Sequence, residues 1–199
     1  MAEITPAMVK ELREKSGAGM MDCKKALAAC GGDLEKAMTE LRKAGLAEAQ
    51  KKSARVTKEG LVEAYIHGGG KIGVLVEVGV ETDFVSRSDK FKEFCHDLAL
   101  QVAATSPRWV RREDVPESVL ANEAEIYAEQ AKGKPEAVLN KIIAGKLEKF
   151  FEETCLMEQA FVKEPDRSIE QLRTDLIGGI GENVEVRRFV RFQLGETQE

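Results

Sequence analysis

The stretch VEVGVETDFVSRSDKFKEF, residues 76–94, changes its hydrophobic period in the middle. From Ile72 to Val80 the apolar residues Ile72, Val74, Val76, Val78 and Val80 alternate, which is the period of a strand with one buried face. After Ser88 the apolar positions Phe91, Phe94, Leu98 and Val102 fall at helical spacing, so the chain continues as an amphipathic helix. Glu81 to Arg87 is the joint, and it places Phe84 and Val85 directly after Thr82 and Asp83. A large apolar side chain on so short a connection has two uses. It folds back as the lid of the local core, or it serves as a wedge for a partner's pocket, since loops on rigid scaffolds carry binding disproportionately. The sequence alone leaves both open.

Immediately upstream, LVEAYIH (Leu61–His67) turns through Gly68, Gly69 and Gly70 into the strand from Ile72, which predicts a hairpin. A phosphate loop needs GxxxxGK[ST] leading into a helix, whereas Lys71 leads into a strand. Downstream, a helix from about Lys90 to Thr105 is followed by Pro107 and RWVRRED. Arg108, Trp109, Arg111 and Arg112 mix cations with an aromatic, the chemistry that stacks and neutralises single-stranded nucleic acid. The plainer alternative is a packed Trp109 with arginines on its rim. Helices are expected over Pro116–Gln130 and Pro135–Leu156, the second with Val138, Ile142, Ile143, Leu147, Phe150 and Phe151 inward. Leu156–Asp166 is a crossing segment that can hold a short extended piece. Ser168 caps a helix carrying Ile169, Leu172, Leu176 and Ile177, broken by Gly178, Gly179 and Gly181. The last strand, Asn183–Leu194, alternates Val184, Val186, Val190 and Phe192 on one face, interrupted by Arg188. Glu185, Arg187, Phe189 and Arg191 make up the other face, a composition that fits a sheet meeting another chain or domain.

At the other end of the chain, Thr5-Pro6 is a helix start: the hydroxyl caps free amides and proline occupies a position needing no donor. Met8, Val9 and Leu12 form its apolar stripe, and Ser16-Gly17 ends it. A second helix from about Met20 to Cys30 carries Met20, Cys23, Leu27 and Cys30, and Gly31-Gly32 stops it. Asp33 caps a third, with Leu34, Met38 and Leu41, ending near Gly45. This predicts a three-helix domain over residues 1–46, close to the lower size limit for an unassisted core. Residues 47–59, polar and rich in Lys and Ala, are expected to be a partly helical linker, with Lys51, Lys52, Arg55 and Lys58 as a solvated face or, alternatively, a phosphate-binding one. Residues 60–199 then form an α+β core. In the turn Gly17-Ala18-Gly19-Met20-Met21, two glycines allow close backbone approach, and two adjacent methionines cannot both face one narrow core. It is either a docking tip or a plain helix–helix turn.

Composition narrows the classes. An apolar fraction of 43% and a charged fraction of 33% in 199 residues describe an ordinary globular chain. No run approaches a membrane span of ~20 apolar residues, and the start MAEITPAMVKELREK has no secretory pattern, so a cytoplasmic location is expected. Cys23, Cys30, Cys95 and Cys155 show no CxxC spacing and, with only His67 and His96 beside them, argue for buried thiols rather than zinc. A thiol enzyme would rest on Cys95 next to His96, but adjacent helical residues point about 100° apart. The net charge of −5 argues against a globally basic nucleic-acid binder.

Four blocks carry a resemblance: LREKSGAGMMDCKKAL (Leu12–Leu27), IGVLVEVGVETDFVSRSDKF (Ile72–Phe91), EQAFVK (Glu158–Lys163) and IGENVEVRRFVRF (Ile180–Phe192). In this order and separation they resemble bacterial elongation factor Ts, in its short form, from about Val9 to Gly195. The resemblance implies a ubiquitin-associated-like three-helix N-terminal domain, then a core of a small antiparallel sheet packed with helices. It implies a non-enzymatic guanine-nucleotide exchange factor that binds elongation factor Tu, GDP-bound and nucleotide-free, and promotes exchange of GDP for GTP. No cofactor, metal, membrane or direct nucleic-acid partner is implied. Carried over, Thr82, Asp83, Phe84 and Val85 would be the element that intrudes beside the partner's magnesium, Asp83 and Phe84 leading. Leu12, Gly17, Gly19, Met20 and Met21 would be docking residues. Departures touch the element's support: Gly79-Val80 stands where many relatives have Asn-Cys, Ser86 where Ala is usual, and Ala160 where Pro is usual. Longer members carry a duplicated core sub-domain, so a homodimer through the core is expected.

Overall fold

The computed structural model describes residues 4–196. Its helices are α1 (Pro6–Ser16), α2 (Met20–Ala29), α3 (Leu34–Lys52), α4 (Asp83–Ser86), α5 (Asp89–Thr105), α6 (Glu117–Gln130), α7 (Glu136–Thr154) and α8 (Ile169–Ile180). The strands are β1 (Glu59–His67), β2 (Ile72–Val80), β3 (Ala160–Phe161), β4 (Glu164–Ser168) and β5 (Val184–Gln193). They form a three-stranded sheet in the order β1-β2-β5 and a separate β3-β4 hairpin, an α+β arrangement. Residue contacts divide the chain into two units. The first holds Met1–Glu63, Glu77–His96 and Gln171–Arg187; the second holds Ala64–Val76, Asp97–Glu170 and Arg188–Glu199.

In the first unit the helix starts and stops follow local chemistry. The Thr5 hydroxyl accepts from the Met8 amide at 3.3 Å, and Gly17 closes α1 at φ 68°, a left-handed conformation glycine adopts without strain. Asp33 caps α3 by accepting from the Lys36 amide at 3.0 Å. Val9, Leu12, Cys23, Ala26, Leu27 and Ala37 form the buried centre of these helices, with Leu34, Met38 and Leu41 against it. The third helix does not end near Gly45 but runs on to Lys52, through half of the stretch expected to be a linker. Gly45 does not terminate the helix, and a Cβ there would make only an ordinary contact, 3.6 Å from Thr174 Cγ2 of α8. Lys52 is likewise no solvated cation: it is buried, with Nζ 3.1 Å from Glu48.

The remainder of this unit buries Val78, Val80, Val184 and Val186 together with Val85, Phe91, Phe94 and Ile177. At Gly60 a Cβ would fall 2.2 Å from the Val78 carbonyl oxygen, so the β1 backbone comes closer to β2 than any side chain permits. Gly79 is crowded too. Its Cβ would meet Thr57 Oγ1 at 2.8 Å and the Arg187 guanidinium at 2.9 Å. Arg187 occupies that space because it donates to Glu77 at 2.9 Å and to the Thr57 carbonyl.

In the second unit Gln101 of α5 is fully buried and fully used. Its amide nitrogen donates to Gln159 Oε1 and to the Ala160 carbonyl, both at 3.1 Å, and its oxygen accepts from the Val162 amide at 2.9 Å. A buried amide so satisfied fixes the β3-β4 hairpin on α5, since leaving one of these groups unpaired costs ~1–3 kcal/mol. Val115, Phe150 and Cys155 form a second cluster, with Trp109, Val119, Leu120 and Phe151 against it. Val138, expected to face inward on α7, is exposed. The apolar face expected along β5 continues only from Val184 to Val186; Val190 and Phe192 are exposed.

Candidate functional site

The joint after β2 is not a loop but a single helical turn, α4, and Thr82 starts it. Its backbone is extended (φ −126°, ψ 155°), and its hydroxyl accepts from the Val85 amide at 3.4 Å, as a helix cap does. The same hydroxyl donates to Glu182 Oε1 at 2.7 Å, while the Thr82 amide donates to Glu182 Oε2 at 3.0 Å. Just before it, Glu81 accepts from the Asn183 amide at 2.7 Å and from Arg55 at 3.4 Å. Beyond the turn, the Ser88 hydroxyl donates to the Val85 carbonyl at 2.7 Å and accepts from the Phe91 amide at 3.4 Å. Val85 points inward and is buried; Phe84, on the opposite side of the turn, is 83% exposed. The lid alternative for Phe84 is thereby excluded. What remains is a rigidly based turn that holds a benzyl group in solvent, where it has no stabilising use in the chain itself. Asp83 beside it is exposed and pairs with Arg87 at 2.9 Å.

The GAGMM turn lies in the same compact unit. Gly17 has open space where a Cβ would be, so it is glycine for its φ of 68° alone, whereas a Cβ on Gly19 would meet the Asp22 carboxylate at 3.0 Å. The turn between them is pinned by the Ala18 amide donating to Ser16 Oγ at 3.2 Å. Both methionines project outward: Met20 is 57% and Met21 63% exposed. Met20 therefore does not join the apolar stripe of α2. Leu12 is the opposite case. It is fully buried in the helical cluster, so its side chain supports this surface from beneath instead of forming part of it.

The rival chemistries find less support. Cys95 is fully buried, and burial together with the nearby Glu63 carboxylate pushes its thiol up to about 12. A thiol so held is neutral near pH 7 and a poor nucleophile. His96 faces Glu63 instead, at 3.2 Å. In the RWVRRED segment Trp109 packs on Phe150 with ring centroids 5.9 Å apart, Arg108 stacks on it at 4.3 Å, and Arg112 is held by Glu158 and Glu148. Arg187 and Arg191 of β5 likewise pair with Glu77 and Glu196. Among the described residues no group of three or more His, Cys, Asp or Glu side chains could hold a metal, and no helix is long and apolar enough to cross a membrane.

Three residues that position α4 were given no role by the sequence: Glu81, Glu182 and Asn183. The carboxylates lie 101 positions apart along the chain, and nothing in periodicity links them. The signal available was local, a Gly-Glu-Asn at the corner between a helix and a strand.

Residues 35–196 match the family model described as elongation factor TS. That match includes α4 and the Glu182 corner but begins after the GAGMM turn. Relatives named elongation factor Ts match over nearly the whole chain, the turn included. The protein of Heliobacterium modesticaldum is 58% identical over 195 residues, spanning 97% of this chain and 91% of its own. That of Anaeromyxobacter sp. strain Fw109-5 is 59% identical over 201 residues, spanning 100% and 92%. That of Moorella thermoacetica is 58% identical over 195 residues, spanning 97% and 96%. With four separate blocks in order and the match extending through the elements that frame Phe84, this chain belongs to the elongation factor Ts family.

Proposed function

We propose that the protein is a non-enzymatic exchange factor, which binds elongation factor Tu carrying GDP, disturbs its magnesium and phosphate site and lets GTP replace GDP. The observation that carries this reading is Phe84, held outward on a turn whose base is fixed on both sides. Thr82–Val85 is the intruding element. Met20 and Met21, presented by Gly17 and Gly19, are the docking tip, with Leu12 as their support. Residues 1–46, of ubiquitin-associated-like type, act as the docking part, and residues 60–199 as the core, in the cytoplasm.

The chemistry needs no acid or base. Magnesium bridges protein and nucleotide phosphates, so a turn that dislodges its ligands weakens nucleotide binding. Phe84 fills a pocket that exists only in the rearranged partner. Preference for the nucleotide-free state is sufficient, because a factor that weakens GDP binding is itself bound more weakly, by the same ratio, when GDP is present.

Stopped-flow release of fluorescent GDP from elongation factor Tu tests the proposal: the protein accelerates release, and an unchanged rate overturns it. Changing Met20 and Met21 together to Ser raises the concentration giving half-maximal release by about tenfold, the loss of two partly buried apolar contacts, and leaves the rate at saturation nearly unchanged. A drop in the saturated rate with an unchanged half-maximal concentration contradicts that role.

Self-association is the other part of the proposal. In the second unit Ile66 is 68% and Leu75 46% exposed, and Ile66 Cδ1 lies 3.4 Å from where a Gly73 Cβ would be, so Ile66 and the Gly73–Leu75 side of β2 share one sheet face. An apolar sheet face of this kind suits a second copy of the chain. Sedimentation at micromolar concentration gives a dimer mass, and Ile66→Lys with Leu75→Lys gives a monomer. A wild-type monomer mass removes the dimer.

A further inference from the structure

The residues that enclose Thr82 form a reciprocal clasp. Glu81 takes the backbone N–H of Asn183 at 2.7 Å, and Glu182 takes the backbone N–H of Thr82 at 3.0 Å. Each two-residue segment thus offers one carboxylate and one amide to the other. Asn183 is buried, and its side chain extends the clasp to the segment after α3 by donating to the Arg55 carbonyl at 2.9 Å and the Ser53 carbonyl at 3.4 Å. Arg173 Nη1 donates to the Val184 carbonyl at 2.8 Å, which ties the following strand to α8.

Glu182 does more than tether. A threonine hydroxyl has one proton, and here it goes to Glu182 Oε1 at 2.7 Å. A lone pair is then left facing the Val85 amide, the sense a helix cap requires. An ionised carboxylate only accepts, so it cannot reverse this polarity. The α8 end of the same corner reaches the other contact element, since a Cβ on Gly179 would stand 3.4 Å from the Gly17 carbonyl oxygen. One six-residue corner, 178–183, therefore passes beside the first residue of the GAGMM turn and carries the carboxylate that binds the cap of α4.

We infer that Glu182 is a positioning residue for exchange: it sets the direction in which α4 presents Phe84, from a corner that also passes beside the docking turn within the first unit. This rests on the exchange reading proposed above. It assigns Glu182 an effect on the rearrangement of the partner and not on encounter with it.

The test uses the full chain with Glu182→Ala and Glu182→Gln, read in two ways. In GDP release from elongation factor Tu, Glu182→Ala lowers the saturated rate by roughly tenfold, the scale of losing charge-assisted hydrogen bonds, while the half-saturating concentration changes by less than about twofold. Glu182→Gln, which keeps one acceptor and adds a donor, falls between. In hydrogen exchange on the isolated protein, the Val85 amide loses protection in Glu182→Ala while the α1–α3 amides keep theirs. Unchanged protection at Val85 overturns the clasp whatever the exchange activity. Lost protection with an unchanged saturated rate, where wild type accelerates release, overturns the positioning role. If wild type does not accelerate release, the exchange reading fails and the positioning role falls with it, while Val85 protection still decides the clasp.

Discussion

Phe84→Ala slows GDP release from elongation factor Tu at saturating concentration by about ten- to a hundredfold, while the variant still docks. On the proposed exchange reading, the size follows from burying a phenyl side chain, worth ~1.5–3 kcal/mol, in a pocket present only in the rearranged partner. The side chain is 83% exposed in the free protein, so its removal opens no cavity there. Melting temperature and sedimentation behaviour should match wild type, because substitutions at such sites usually change stability by no more than ~0.5 kcal/mol. This separates the phenyl contact from any effect on folding. A titration of release rate against variant concentration provides the check. Wild-type rates at the plateau would place the energy of rearrangement elsewhere on the molecule, with Asp83 the next group to change.

Gly60→Ala lowers the melting temperature by ~6–12 °C, for a loss of about 3 kcal/mol in a chain of this size. A Cβ at this position would stand 2.2 Å from the Val78 carbonyl oxygen, and the obstacle is backbone that cannot swing away as a side-chain tip can. The φ of 154° adds strain for any L-residue with a side chain. Relief requires β1 to pull away from β2 just before the segment that leads to Thr82. The variant should therefore lose hydrogen-exchange protection around Val78 and Val80 before it loses any in α1–α3. A melting curve superimposable on wild type would mean that the two strands do not approach this closely in solution.

The positions of the strands and helices were legible wherever burial imposes a period. The alternation from Ile72 to Val80 and the spacing Phe91, Phe94, Leu98 found β2 and α5 because each has one buried side. Thr5 and Asp33 declared their helices through capping chemistry that is local. Gly45 misled because glycine only weakens a helix locally, and this one continues through it to Lys52. At the site, the exposure of Phe84 was one of two open readings, and the structure decides it through Val85, whose burial turns its neighbour outward. The carboxylates of Glu81 and Glu182 stayed hidden because each binds a backbone amide about a hundred positions away, a group that every residue but proline carries and no motif records.

Gly79 and Arg187 occupy one volume, and this constrains the order in which the two positions can change over time. A side chain at 79 meets the guanidinium at 2.9 Å and the Thr57 hydroxyl at 2.8 Å, and Arg187 can withdraw only by giving up Glu77 and the Thr57 carbonyl. A lineage that shortens position 187 first has an intermediate in which a side chain at 79 need displace only the Thr57 hydroxyl. A lineage that begins at 79 passes through a crowded one. The pair should therefore drift together, and residue 187 should lead.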